Sequence, residues 1–211
     1  MARNNLVSRV GVEIELTSIC SVSCPGCPRT AHAPDDKIWG WVKQDMSMET
    51  LEHVILAFPS DHYNFNLCGC YGDAIFHKQF ISCAKRLIEN HYYVTLVTSA
   101  ANRPESWWQE FFNLDLQKWS LVFSIDGIEE NNHLYRRGAR WSTIETALRL
   151  ASVATVRSRE WKHLVFPYNK HTVNIAKELA STYNFKFNPV ESTRGDSLYF
   201  NETEEDKKLW F

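Results

Sequence analysis

The chain has 211 residues, of which 44% are hydrophobic and 23% charged, with a formal net charge of -2. That length can bury a sizeable core without disulfide staples, and that charge excludes a surface built to coat nucleic acid. No window approaches the roughly eighteen apolar residues of a membrane span. The opening MARNNLVSRVGVEIEL lacks the apolar stretch of a secretory signal, so a cytoplasmic chain with reduced thiols is expected.

The first strand pattern, at 11–17 (GVEIELT), runs into CSVSCPGC, which puts Cys20, Cys24 and Cys27 within eight residues. Residues 28–46 then read as one loop, long enough to be functional, carrying His32, Trp39 and Trp41. Ser47 is placed as the N-cap of a helix over 48–58, with Met46 and Leu51 spaced as a hydrophobic staple. A strand at 62–68 (HYNFNLC) precedes a helix over 76–90, marked by the stripe Phe76, Phe80, Ile81, Ala84, Leu87 and Ile88. Strands at 92–98 and 119–125 bracket a helix over 104–113. A helix over 142–155 follows, its stripe formed by Ile144, Ala147, Leu148 and Ala151. Last come a strand at 161–166, a helix over 170–183, a strand at 184–188 and a charged tail from Val190. The tail is either a solvated end or a cap over the open side of the sheet.

Six strands alternating with five helices imply parallel strands joined by right-handed crossovers. An open doubly wound sheet and a barrel both satisfy that pattern. No linker, repeat or low-complexity tract interrupts it, so residues 1–211 read as one domain. Glu13 and Glu15 alternate with apolar residues, as do Asn64 and Asn66. Strands covered on both faces should instead read as continuous apolar runs. The alternation places these side chains either in a polar cavity or in water at a sheet edge.

Three readings of the cysteine cluster compete. The thiols could be small buried hydrophobes, although Ser, Pro and Gly around them give the loop little core character. They could form a Cys3His zinc site with His32. Or they could hold a [4Fe-4S] cluster by three irons, leaving the fourth open to a small molecule. That last reading explains why the loop has no fourth cysteine.

ELTSICSVSCPGCPR resembles the motif loop of the radical S-adenosylmethionine (radical SAM) superfamily, in its branch whose first strand ends in Glu-Leu-Thr. Further segments resemble that family's at successive strand ends. GCYGDAIFH (69–77) is similar to the Gly-Gly-Glu-Pro segment that binds the methionyl amine, through Gly72 and Asp73. TSAAN (98–102), with Thr98 and Ser99, stands where relatives carry Thr-Asn-Gly. SIDG (124–127) resembles the Ser-x-Asp-Gly that meets the ribose and methionyl group, giving Ser124 and Asp126. HLYRRG (133–138) resembles a segment whose arginine, here Arg136, pairs with the methionyl carboxylate. Read singly, each is ordinary: a Gly-Asp turn, a strand end, a surface arginine.

The resemblance implies an α/β fold, a partial parallel (β/α)6 barrel of the radical SAM type. It implies a [4Fe-4S] cluster on Cys20, Cys24 and Cys27, S-adenosylmethionine at its open iron, and a reductant such as flavodoxin or ferredoxin. The implied reaction is reductive cleavage of S-adenosylmethionine to a 5′-deoxyadenosyl radical, which takes hydrogen from a peptide or small metabolite. A glycyl-radical-enzyme activase is an alternative of the same class, and a non-catalytic zinc- or iron-sulfur-binding module one of another class. The sequence departs from the family's pattern at Asp73-Ala74, where Glu-Pro is usual. It departs also at Gly26, where an aromatic residue is common, and at Ser99-Ala100, in place of Asn-Gly. Cys83 reads as buried packing. Cys68 and Cys70, at a site-facing strand end, read as packing or as a catalytic thiol. The loop 28–46 is either a lid that closes when substrate binds or a segment whose tryptophans pack permanently.

Overall fold

The computed structural model describes residues 9–32 and 42–192. Among them six strands form one parallel sheet: β1 (Val10–Ile14), β2 (Tyr63–Leu67), β3 (Val94–Thr98), β4 (Trp119–Ser124), β5 (Ser158–Val165) and β6 (Lys186–Glu191). Their order across the sheet is their order in the chain, and every adjacent pair is parallel. The connections carry the helices α1 (Pro28–His32), α2 (Met48–Ala57), α3 (Phe80–Glu89), α4 (Glu105–Phe112), α5 (Asn132–Tyr135), α6 (Trp141–Val153) and α7 (Val173–Thr182).

That strand order decides between the two expected architectures. A doubly wound sheet reverses direction partway and so covers both faces. Right-handed crossovers that always step the same way put every helix on one face. The result is a partial (β/α)6 barrel of the radical SAM type, whose concave face carries no crossover helix among the described residues.

Burial follows strand parity. On β3 and β4, Val94, Leu96, Trp119, Leu121 and Phe123 are buried under the helices, whereas Thr95, Val97, Ser120, Val122 and Ser124 are half-buried on the other face; Thr98, at the end of β3, is buried at the cavity rim. Trp108 and Phe111 of α4 fill the helix-side core, ring against ring with Phe123 and Trp119. The alternating polar residues of β1 and β2 share the open face. Glu13 stands in register with Asn66, and a methyl group placed on Gly11 would meet the Asn66 and Asn64 amides. Their polarity therefore belongs to the concave side.

Ser47 caps α2, its hydroxyl accepting from Thr50 N at 3.0 Å. Helix α3 starts later than its apolar stripe suggests. Asp73 caps a separate 3-10 turn at Ala74–Phe76, and the extended His77 breaks the run before Phe80. The segment 28–46, expected to be loop throughout, begins with α1, and Thr17 bridges Asp45. Trp39 and Trp41 lie outside the described residues. Strand β6 runs on to Glu191, so the first residues of the expected tail belong to the sheet, and 193–211 lie outside the described residues. Among the described residues, no helix is long and apolar enough to cross a membrane.

Candidate active site

The cysteine loop leaves β1 and is pinned on three sides. Asp73 N donates to Ile19 O at 2.9 Å, Ser18 N to Gln44 O at 3.0 Å, and Ser23 N to Arg137 O at 2.9 Å. Asn102 reaches it from the loop after β3, its side-chain amide donating to Ser21 Oγ at 3.2 Å and Gly138 O at 2.8 Å. Cys27 N closes a turn on Cys24 O at 3.0 Å, and Arg29 donates to Val22 O across the same turn.

These contacts set the three thiols around a cavity of about 430 Å³ at the carboxyl ends of the strands. Gly72, Asp73, Thr98, Ser99, Ser124, Asp126 and Arg136 line it too, so all ten residues singled out in the sequence meet in one place. A second groove of about 450 Å³ lies at the opposite end, beside Tyr93, Lys118 and Arg157, and has no thiol. Sites in parallel α/β folds form at the carboxyl ends of strands, which makes the first cavity the candidate site.

The loop after β2 is held from beneath. Glu15 Oε1 accepts from Tyr71 N at 2.6 Å and from Gly72 N at 2.9 Å. Gly72 packs so closely that a Cβ would stand 1.8 Å from Thr17 O. Asp73 follows, 5% exposed, and its Oδ2 accepts from Thr98 Oγ1 at 2.8 Å, Ser99 N at 2.9 Å and Ser99 Oγ at 2.8 Å. One carboxylate thus ties the β2 loop to the β3 loop. Ala100, next along, takes φ 57°, the left-handed region that suits glycine. An alanine stands there at a cost of about 1 kcal/mol.

On the far wall Asp126 is fully buried. Its Oδ2 accepts from Arg136 Nε at 2.7 Å and its Oδ1 from Leu164 N at 2.7 Å. Arg136 Nη1 donates to Cys24 Sγ at 3.6 Å, and the residue lines the cavity. Burial works against the Arg136 charge, yet Asp126 and Cys24 hold its pKa above the ordinary value. Burial raises the Cys24 thiol, with Arg136 opposing it. Burial, and after it the Asp73 carboxylate, pushes Cys20 up to about 12. Such thiols stay protonated until a metal displaces the proton.

Cys68 and Cys70 line the cavity as well, so five of the six free cysteines face it. Burial, Glu13 and Cys70 together raise the Cys68 thiol. Cys83 is buried behind the sheet, its thiol 3.6 Å from Met48 Sδ. Lys162 of β5 projects into the cavity in register with Ser124, and among the described residues it forms no ion pair. Sequence reasoning passed over it. The signal was the parity of WKHLV, in which Trp161, His163 and Val165 are buried and Lys162 and Leu164 face the cavity.

A [4Fe-4S] cluster takes each thiolate on a separate iron, so its ligands surround a volume, whereas one zinc ion draws four ligands to a point. The spread of three thiols around a cavity fits the cluster, and the side chain of His32, the fourth ligand of the zinc alternative, lies outside the described residues.

Fold and cavity together define a half-barrel α/β protein with a thiol-lined site at the carboxyl rim. No protein-family model matches the sequence, and no curated protein matches it significantly. Among solved structures the chain superposes on SuiB of Streptococcus suis bound to S-adenosylmethionine, with a TM-score of 0.66 and 11% identity, covering 94% of this chain and 44% of that one. SuiB bound to the precursor peptide SuiA gives a TM-score of 0.66 at 11% identity, over 94% of this chain and 43% of that one. The likeness is one of fold, and the chain spans less than half of SuiB's length.

Proposed function

We propose that the chain is a radical S-adenosylmethionine enzyme whose Cys20, Cys24 and Cys27 hold a [4Fe-4S] cluster. The observation that carries this reading is convergence: three motif thiols and seven residues from later strand ends line one cavity. When bound, the cluster and S-adenosylmethionine supply one-electron cleavage of the sulfonium, giving methionine and a 5′-deoxyadenosyl radical that takes hydrogen from the substrate.

The chain's own residues bind and orient. Asp73 is held rigid by Thr98 and Ser99, whose hydrogen bonds oppose the burial that raises its pKa, and it offers its carboxylate to the methionyl ammonium. Arg136 is held through Nε, which leaves part of its planar fork for the methionyl carboxylate. Ser124 sits at the end of β4, where its hydroxyl bonds to no described residue and is offered to the ribose. The polar concave face, with Glu13, Asn64, Asn66 and Lys162, suits a hydrophilic substrate, either a peptide or a small metabolite. The peptide option draws on SuiB, solved with its precursor peptide. A flavodoxin- or ferredoxin-type reductant supplies the electron, and six free cysteines fit the reducing cytoplasm.

Anaerobic reconstitution tests the metal assignment. The protein should turn brown and carry about four irons per chain. Replacing Cys20, Cys24 or Cys27 by Ala should abolish that iron, and Cys83→Ala should retain it. Stoichiometric zinc without iron, in protein supplied with both, would sink the assignment.

A further inference from the structure

Arg136 is the most firmly committed cation of the cavity wall. Its Nε is fixed to Asp126 Oδ2 at 2.7 Å while Nη1 points at Cys24 Sγ, 3.6 Å away. The carboxylate that holds it is itself immobilised. Asp126 Oδ1 accepts from Leu164 N at 2.7 Å, Asp126 N donates to Asn132 Oδ1 at 3.0 Å, and Asp126 O accepts from Asn169 Nδ2 at 2.8 Å. The Ser23 N to Arg137 O bond, 2.9 Å, ties the same stretch of chain to the cysteine loop. Arg136 cannot swing away from Cys24 without breaking an ion pair whose acid has no exposed surface. Two motifs that the sequence keeps apart, SIDG and HLYRRG, thus converge on one cluster ligand.

We propose that Arg136 sets the reduction potential of the cluster through its N–H···S bond to Cys24, with Asp126 as the residue that positions it. The inference rests on the radical SAM reading of the site. Reduction adds one electron, from a flavodoxin- or ferredoxin-class donor, and its charge spreads onto the ligand sulfurs. A fixed donor and a positive charge at one of those sulfurs favour the more negative state, so they raise the potential. The guanidinium stays protonated throughout, so no proton moves with the electron. This role differs from holding a methionyl carboxylate, because it acts before S-adenosylmethionine binds.

The test is a potentiometric titration of the reconstituted full chain, followed by the electron paramagnetic resonance signal of the reduced cluster, without S-adenosylmethionine. Arg136→Met removes donor and charge together. Its reduction equilibrium constant should fall about tenfold, a shift of about 59 mV to more negative potential for a one-electron couple. Arg136→Lys keeps the charge without the planar fork and should fall between the two; it also serves if the Met variant fails to fold. Arg103→Gln, which alters a cation bonded to Ile75 O and to no thiol, should leave the midpoint in place. Iron-loaded Arg136 variants with the wild-type midpoint would overturn the inference while leaving the cluster reading intact. A wild-type chain that takes up no iron would overturn both.

Discussion

Glu15 and Gly72 lie 57 positions apart in the chain and are joined by a 2.9 Å hydrogen bond from the Gly72 amide to Glu15 Oε1. The same oxygen accepts from Tyr71 N, so the end of β1 holds the loop that carries Cys70 and Asp73. A side chain from the polar alternation of β1 is thus spent on building the cavity wall. Glu15→Ala should cost about 1.5–3 kcal/mol, toward the lower figure because Glu15 is half-buried. Glu15→Gln keeps an acceptor and should cost less. Chemical denaturation measures both, and an alanine variant as stable as the parent would show that the loop stands without this tether.

Gly72 makes the companion prediction. A Cβ there would lie 1.8 Å from Thr17 O, and backbone has little room to yield. Gly72→Ala should therefore destabilise by about 3 kcal/mol or more, the upper end of overpacking costs. At Gly11 the nearest atom to a new Cβ is the Asn66 side-chain nitrogen, at 3.2 Å, which can turn aside. Gly11→Ala should melt close to the parent. Equal melting temperatures for the two variants would contradict the packing described.

Asp73 combines two duties that separate in a variant. Its Oδ2 serves three donors from Thr98 and Ser99, all buried. Asp73→Ala should therefore lose about 1–3 kcal/mol of stability as well as affinity for S-adenosylmethionine. Ser124→Ala should lose affinity alone. Removing the charge-assisted bond of Asp73 or Arg136, about 1.5–3 kcal/mol, weakens binding by about ten- to a hundredfold, and removing the neutral Ser124 bond, about 0.5–1.5 kcal/mol, by about tenfold or less. Calorimetric titration beside a thermal melt reads both effects. Unchanged affinity in Asp73→Ala, Ser124→Ala and Arg136→Ala alike would mean that the cofactor binds elsewhere.

His163 gives the fold a pH dependence. It is fully buried, beside Phe187 with ring centres 5.4 Å apart, and among the described residues neither ring nitrogen makes a well-aligned hydrogen bond, the Ile125 backbone being only a weak partner. Burial holds its pKa below the ordinary 6.5, with the Asp126 carboxylate and the Ile125 backbone opposing only in part. Because the folded pKa is depressed, the unfolded chain takes up the proton first as pH falls. The His163 contribution is complete above pH 6.5 and drains away between there and the lower folded value. His163→Phe should gain stability relative to the parent as pH drops from about 7.5 to about 5. A stability difference that stays constant across that range would contradict this.

Much of this architecture was legible in the sequence, because strands and helices bury different periodicities. The six strand patterns and the apolar stripes of α3 and α6 appear where burial demands them. Parity was legible too: Glu13 with Glu15, and Asn64 with Asn66, share a face. Which face carries no helices depends on strand order, and that is a property of the assembled sheet. For the same reason Lys162 went unnoticed, since a lysine in a strand says nothing about what lies across from it. The pairing of Asp126 with Arg136, and of Asp73 with Thr98 and Ser99, joins motifs from different strand ends. Their residue types were visible, but their partners are set by register. The break before α3 was hidden because Phe76 continues the helical stripe while Asp73 caps a separate turn.

The central claim is that the thiol-lined cavity cleaves S-adenosylmethionine reductively. The direct measurement is anaerobic incubation of the reconstituted chain with a strong one-electron reductant and S-adenosylmethionine, with 5′-deoxyadenosine quantified by mass spectrometry. The account predicts that 5′-deoxyadenosine and methionine accumulate with the parent chain and fall to background with Cys20→Ala, Cys24→Ala or Cys27→Ala. An iron-loaded parent chain that forms no 5′-deoxyadenosine would contradict the account and leave a non-catalytic iron-sulfur module in its place.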